Sequence, residues 1–214
     1  MEKRYKNIGY FLMLLIPISF FGFYKTSYFI QFPNFDDTID TGLHFHFVMA
    51  CLWILMLIVQ PILIKNRKRR LHKTIGRISY LVFPLLILSI LPLIIKSIRE
   101  TDNFMDAYFP IADSVLLLFF YSMAIYNKKN SAMHMRFMIG TALVFLGPTI
   151  GRIGPIFFDI SSFFTQHLLY GIIYLILSIL ILLDKNNGKN YRPFVFIFIF
   201  FLFHQIGFYF SVKL

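Results

Sequence analysis

The 214-residue chain has a single cysteine, Cys51. One thiol excludes an intrachain disulfide and any cysteine-built metal cluster within one copy. Cys51 falls inside an apolar run, where an inert buried thiol is expected. Acidic residues are also scarce, 10 against 21 Lys and Arg, and charged residues make up only 14% of the chain. Nearly all of that charge lies between long apolar runs, so a soluble surface cannot be assembled from it. The net charge of +11 is divided among short connecting segments. That placement excludes a nucleic-acid interface and predicts a topology signal with affinity for anionic lipid headgroups. A small-residue cleavage site is missing after the first apolar stretch, which begins at Ile8. That stretch therefore reads as a membrane span, not a signal peptide.

What is present in excess is apolar. Hydrophobic residues make up 58% of the chain, with 28 phenylalanines, where a soluble domain holds about 45–50%. A helix rises about 1.5 Å per residue, so about 20 residues cross the hydrocarbon core. Seven segments have that length: about 8–24, 44–64, 78–96, 107–126, 137–158, 164–183 and 193–212. The last is rich enough in Phe and Ile to pass for a strand, but its length favours a helix, started well by Pro193. The expected fold is an all-α membrane protein, a seven-transmembrane-helix bundle forming one integral membrane domain over 1–214.

Orientation follows from the Lys and Arg of the connections. The N-terminal tail and the segments 65–77, 127–136 and 184–192 together hold sixteen. The opposite side holds Lys25, Lys96, Arg99 and Lys213, with the acids Asp36, Asp37, Asp40, Glu100, Asp102, Asp106 and Asp159. The positive-inside rule then puts the N-terminus in the cytoplasm and the C-terminus outside. Spans 2–3 and 4–5 are weakly alike, each pair joined by a basic connection with a histidine, His72 or His134.

Polar groups within lipid are costly and mark function or pairing. His44 and His46 open span 2, Asp113 lies about two turns into span 4, and Arg152 is in the outer part of span 5. His167 opens span 6, and His204 lies just beyond the middle of span 7. All are expected toward the outer face. An outer cluster of histidines and a carboxylate suits Zn²⁺, Fe or Cu; paired histidines suit haem b. Residues two apart on a helix point about 200° apart. Either His44 and His46 lie on extended backbone, or only one faces the bundle. Asp113 and Arg152 are expected as an ion pair between spans 4 and 5. His204 is read either as a ligand or as an interhelical tie, with Gln205 facing elsewhere, and His167 as solvated. On the basic side, Gln60 precedes Pro61, and His72 and His134 are expected at headgroups. Trp53 is expected between helices, and Gly147-Pro148, Gly151 and Gly154-Pro155 make span 5 prone to kink.

The combination "LHFHFVMACLWILMLIVQPILI", "LHKTIGRISY", Asp113 and "HMRFMIGTALVFLGPTIGRI" resembles a widespread group of small, uncharacterised bacterial membrane proteins. These share an H-x-H span ending near Gln, an "LHR-x-x-G" connection and an "HKRLM" motif. The resemblance covers about residues 43–155. Here Lys73 and Met135-Arg136-Phe137 replace the commoner residues. It singles out His44, His46, Gln60, His72, Gly76, Asp113, His134, Arg136 and Arg152, and does not extend to His167 or His204. It implies the cytoplasmic (inner) membrane of a bacterium. In helix count and paired histidines the group is similar to b-type cytochromes.

Three functions are therefore carried forward. In the first, haem or a metal held by His44 or His46 and His204, with His167 as alternate, serves electron transfer. Asp113 then orients an imidazole, and Arg152, Gln60, His72, His134 and Arg136 play supporting structural parts. The second is a zinc-dependent hydrolase acting on lipid. The third is a scaffold or small-solute carrier without enzymatic activity. The expected partners are the bilayer, anionic headgroups on the cytoplasmic side, and a second copy of the chain or another membrane protein.

Overall fold

A computed structural model describes residues 2–36, 40–101 and 107–213; Asp37, Asp102 and Asp106, counted above among the acids, lie outside the described residues. All regular structure among the described residues is helical. Seven helical segments are long and apolar enough to cross a membrane: Lys3–Phe23, Thr41–Lys65, Arg69–Arg99, Tyr108–Tyr126, Ser131–Phe158, Ser162–Lys185 and Arg192–Ser211. They correspond one for one with the seven expected spans. Their basic ends run further than expected. The third helix starts at Arg69, nine residues before 78, because the cations of this stretch are good helix formers.

Prolines explain where the helices break. The first span is a 3-10 turn, Lys3–Tyr5, followed by α1 (Ile8–Leu12) and α2 (Leu15–Phe23). Pro17 has no N–H to offer the Met13 carbonyl, which instead accepts from Ile16 N at 3.0 Å. The fifth span divides likewise into α7 (Ser131–Val144) and α8 (Leu146–Phe158), with Pro148 four residues after Val144. The kink expected from Gly147-Pro148 is therefore a one-residue interruption at Phe145. Pro110 and Pro193 stand in the first turns of α6 (Tyr108–Tyr126) and α10 (Arg192–Lys213), where the missing donor costs nothing.

The chain falls into two compact units, Met1–Asp102 and Asn103–Leu214. In the first, α4 (Thr41–Lys65) pairs with α5 (Arg69–Thr101), and α1 packs on α4. Asp40 caps α4, its Oδ1 accepting from Leu43 N at 2.7 Å. Gly9 lets α1 approach α4 closely: a Cβ there would lie 2.7 Å from Ile62 Cγ1. Lys65 Nζ donates to Asn7 Oδ1 at 2.8 Å and sits over the Tyr10 ring. Trp53 is buried against Phe83, as expected for a residue between helices.

In the second unit, α10 packs on α6, α7 and α9 (Ser162–Lys185). The middle of α7 is buried throughout, from Arg136 to Val144 apart from Met138. Gly140 lies beneath Ile197 and Phe120, and Phe119 stacks on Phe200 at 4.1 Å. Large apolar side chains on both units remain exposed, among them Leu81, Leu175 and Phe203. Such surfaces suit acyl chains and not water.

Candidate functional site

In the first unit both histidines of "LHFHF" lie in regular helix, within the first two turns of α4, and they diverge as helix geometry requires. His44 Nδ1 is 3.0 Å from Tyr28 Oη, and its ring lies against Tyr28 and Phe35. Tyr28 belongs to α3 (Ser27–Gln31), outside the spans, and burial pushes its phenol above the ordinary range, with Cys51 adding to the shift. His46 turns to α5, with Nδ1 2.9 Å from Ser89 Oγ. The Ser89 hydroxyl gives its one proton to the Leu86 carbonyl at 2.6 Å, so His46 Nδ1 is the donor. The pair thus serves two different neighbours and does not converge on one ion.

Lower on the same helix pair, Gln60 reaches into the first turns of α5. With its amide oriented to satisfy both ends, its NH₂ donates to His72 Nδ1 and to the His72 carbonyl, and its oxygen accepts from Gly76 N at 3.0 Å. Accepting at Nδ1 leaves the neutral His72 ring proton on Nε2. In the second unit, His134 Nδ1 donates to the Ala124 carbonyl at 2.9 Å, in the last turn of α6. Both histidines of the basic connections are thus tied to protein groups as well as standing near cations.

Two acid–base pairs are buried in the second unit, and they differ in kind. Arg136 on α7 and Asp184 on α9 form a two-pronged ion pair, Nε to Oδ2 at 2.7 Å and Nη2 to Oδ1 at 2.9 Å. Their side chains are 1% and 2% exposed. Arg136 Nη1 also donates to the Ala132 carbonyl at 2.9 Å. This is a fully satisfied tie between helices.

The other pair is His204 of α10 with Asp113 of α6, Nε2 to Oδ1 at 3.2 Å. The approach is close, yet the buried Nε2 has no aligned hydrogen-bond partner among the described residues. The His204 side chain is 4% exposed and that of Asp113 17%. On the other edge of the ring, Nδ1 lies 2.7 Å from Tyr170 Oη. Tyr170 is also hydrogen-bonded to the Gln166 side chain. Gln166, Tyr170 and Tyr174 recur every four residues on α9, which puts them on one stripe facing α10. Tyr174 donates to Gln205 Oε1 at 2.6 Å, so Gln205 is engaged by α9 too.

The backbone at His204 is held as firmly as its ring. Tyr108 Oη donates to the His204 carbonyl at 2.5 Å and is bonded in turn by the Phe208 amide. Gly207 makes room for it: a Cβ there would lie 2.9 Å from Tyr108 Cε2.

The remaining candidates surround this pair. Asp113 faces Gly147 of α8, where a Cβ would lie 3.6 Å from Oδ2. Gly151, one turn on, faces Gln166 Oε1. Arg152 donates from Nη1 to the Pro148 carbonyl in its own helix and interacts electrostatically with Asp113. His167 bonds through Nδ1 to the Phe163 carbonyl at 2.9 Å and packs against Phe163 and Phe208. Among the described residues no three His, Cys, Asp or Glu side chains gather closely enough to hold one metal ion.

Several of these partners escaped the sequence. Tyr28, Ser89, Tyr108 and Tyr170 are hydroxyls in apolar runs, and nothing local separates them from packing residues. The four-residue spacing of Gln166, Tyr170 and Tyr174 was the available signal. Comparison with family models, curated proteins and solved structures gives no match at any level that carries an argument.

Proposed function

We propose that this is a multi-pass protein of the bacterial cytoplasmic membrane, N-terminus inside and C-terminus outside, that carries a small solute in exchange for protons. The protons are taken up and released at His204 and Asp113. The orientation rests on the sixteen cations of one set of connections against four on the other. The exchange rests on one observation, the contrast between the two buried acid–base pairs.

Arg136 and Asp184 are aligned, doubly bonded and closed off, as a purely structural tie should be. His204 and Asp113 stand 3.2 Å apart and unaligned, and the Asp113 side chain is 17% exposed. Ionisable side chains within spans are a recurrent feature of proton relays, and His is the side chain that changes charge nearest neutral pH. Tyr170 and Gln166 extend the pair into a hydrogen-bonded chain along α9. Broken helices often line transport sites, and α8, which faces Asp113, follows such a break.

The test is pH-difference infrared spectroscopy of the full chain in lipid, between about pH 5 and pH 9. Carboxyl and imidazole bands should both appear in the difference spectrum, the carboxylate stretch shifting with the charge of its imidazole neighbour. Asp113→Asn should remove the first and His204→Gln the second. A wild-type spectrum with neither change would overturn the reading. A second reading is favoured by the same imidazole: Nδ1 held and Nε2 unaligned is the form of an axial haem ligand. A Soret band from stoichiometric haem in the purified protein would replace carriage with electron transfer.

A further inference from the structure

We infer that the first unit binds one anionic phospholipid, of the class with two phosphates in its headgroup, on the exposed face of α5. This site lies in the other unit from the exchange pair and stands whether or not protons move there. Charge is concentrated at the basic end of the unit. The connections 127–136 and 184–192 hold three Lys and Arg each, whereas 65–77 holds seven and no acid. The fold adds three more. Lys65 Nζ donates to Asn7 Oδ1 at 2.8 Å, which brings the tail with Lys3, Arg4 and Lys6 to the same end. Within the unit, ten cations then share this end with a single acid, Glu2, among the described residues. Like charge at that density repels itself, and a multiply charged anion relieves it. Arg67 even occupies the left-handed region, at φ 59°, where Gly or Asn is the usual residue. The turn between α4 and α5 thus keeps a cation against its backbone preference.

On α5 the charge forms a stripe. Arg70, Lys73 and Arg77 are all exposed and, spaced by three and four, share one face. Leu81, Leu88 and Ile95 continue that face and are 64%, 55% and 50% exposed. One helix face therefore reads cation and then aliphatic, the order of an anionic phospholipid from headgroup to acyl chain. The depths agree. The headgroup layer of one leaflet is about 5–8 Å deep. Arg70 and Arg77 stand about 10 Å apart along the axis, so the cations run through the whole layer. Leu81, one turn on, begins the hydrocarbon.

The number of cations gives the class of lipid. One phosphodiester carries one charge and occupies one guanidinium fork or one ammonium group well. The stripe alone offers three cations, two of them arginines, whose fork matches phosphate. The turn and the tail stand beside it. Two phosphodiesters joined in one headgroup fill two such positions together, because the second binds at the high effective concentration set by the first. A zwitterionic headgroup would bring its own cation into the patch and is excluded by repulsion.

The experiment is native mass spectrometry of the purified, delipidated full chain in neutral detergent, titrated with tetraoleoyl diphosphatidylglycerol. One lipid per chain should bind in a saturable step, and dioleoyl phosphatidylcholine should not. Dioleoyl phosphatidylglycerol at equal charge should bind at least about tenfold more weakly. Arg70→Gln with Arg77→Gln, both exposed and so expected to fold, should weaken the two-phosphate lipid about 25-fold, the product of about fivefold for each cation. Lys129→Gln with Lys189→Gln removes the same charge from the second unit and should leave binding within about twofold of wild type. Equal losses in the two double variants would reduce the effect to net charge and overturn the site. Equal affinity for the one-phosphate lipid would overturn the assignment of class. Displacement of the bound lipid by millimolar inorganic phosphate would show a phosphate site with no use for the acyl chain, and would overturn it as well.

Discussion

Replacing Asp184 by Asn should destabilise the second unit by about 3–5 kcal/mol, the cost typical of leaving one partner of a buried ion pair alone. The side chains concerned are 1% and 2% exposed, so solvent cannot take over the lost interaction in place. Asn keeps the shape and one acceptor, which still serves Arg136 Nε. The other prong becomes an NH₂ facing the Nη2 donor, so an attraction is replaced by two donors in contact. The Nη1 bond to Ala132 and the neighbouring Phe194 ring remain for the guanidinium. Against a total stability of about 5–15 kcal/mol, that is a large fraction. Unfolding in mixed micelles of rising denaturing-detergent fraction, followed by circular dichroism, measures it. The double variant Arg136→Met with Asp184→Leu removes both charges and should recover most of the loss. A loss below about 1 kcal/mol for Asp184→Asn would refute the reasoning. It would mean that Arg136, only six residues into α7, reaches the interface once released.

Gly207→Ala drives a methyl group into the Tyr108 ring and should cost about 1–3 kcal/mol by thermal denaturation, part of it recovered by adding Tyr108→Leu. Ser89→Ala takes the acceptor from half-buried His46 and should cost about 1 kcal/mol in the same assay.

The spans were legible because length and hydropathy alone decide what crosses lipid, and the seven helices follow the expected order. Their ends were less so. Residues 69–77 were read as connection because charge density marks where a span leaves the membrane, whereas helix propensity lets α5 begin at Arg69. The break before Pro17 was equally readable from the rule that exposed the kink at Pro148, and was missed because the first span looked uniform in hydropathy. For the site, the rare residue types carried the signal: Asp113 and His204 stand out in apolar helices and do meet. Asp184 did not stand out, since it was counted with the basic connection that follows it, although it lies within α9 and closes on Arg136. Helix geometry separates His44 from His46, and their rings meet different neighbours. The identity of their partners required the tertiary structure, because a serine 43 residues away and a tyrosine 16 away leave no trace in local spacing.

The same helix that supplies the carboxylate also fixes the backbone of its partner. Tyr108 and Asp113 are five residues apart on α6, and they reach the His204 carbonyl and the His204 imidazole respectively. With the Phe208 amide also on the Tyr108 hydroxyl, α10 is pinned to α6 at the level of the pair. A change in the Nε2–Oδ1 distance then cannot come from sliding α6 along α10. It has to come from rotation of the two side chains or from α9, which holds the far edge of the ring through Tyr170. On the exchange reading, uptake and release at the pair are coupled most directly to α9. Its neighbour α8 touches it at Gly154, where Thr165 occupies the space a Cβ would need, and that helix is hinged at its start by Pro148. Gly154→Ala should accordingly cost about 1–3 kcal/mol by thermal denaturation, since the added methyl must displace Thr165 and with it α9. A cost below about 0.5 kcal/mol would show that Thr165 turns aside without moving α9.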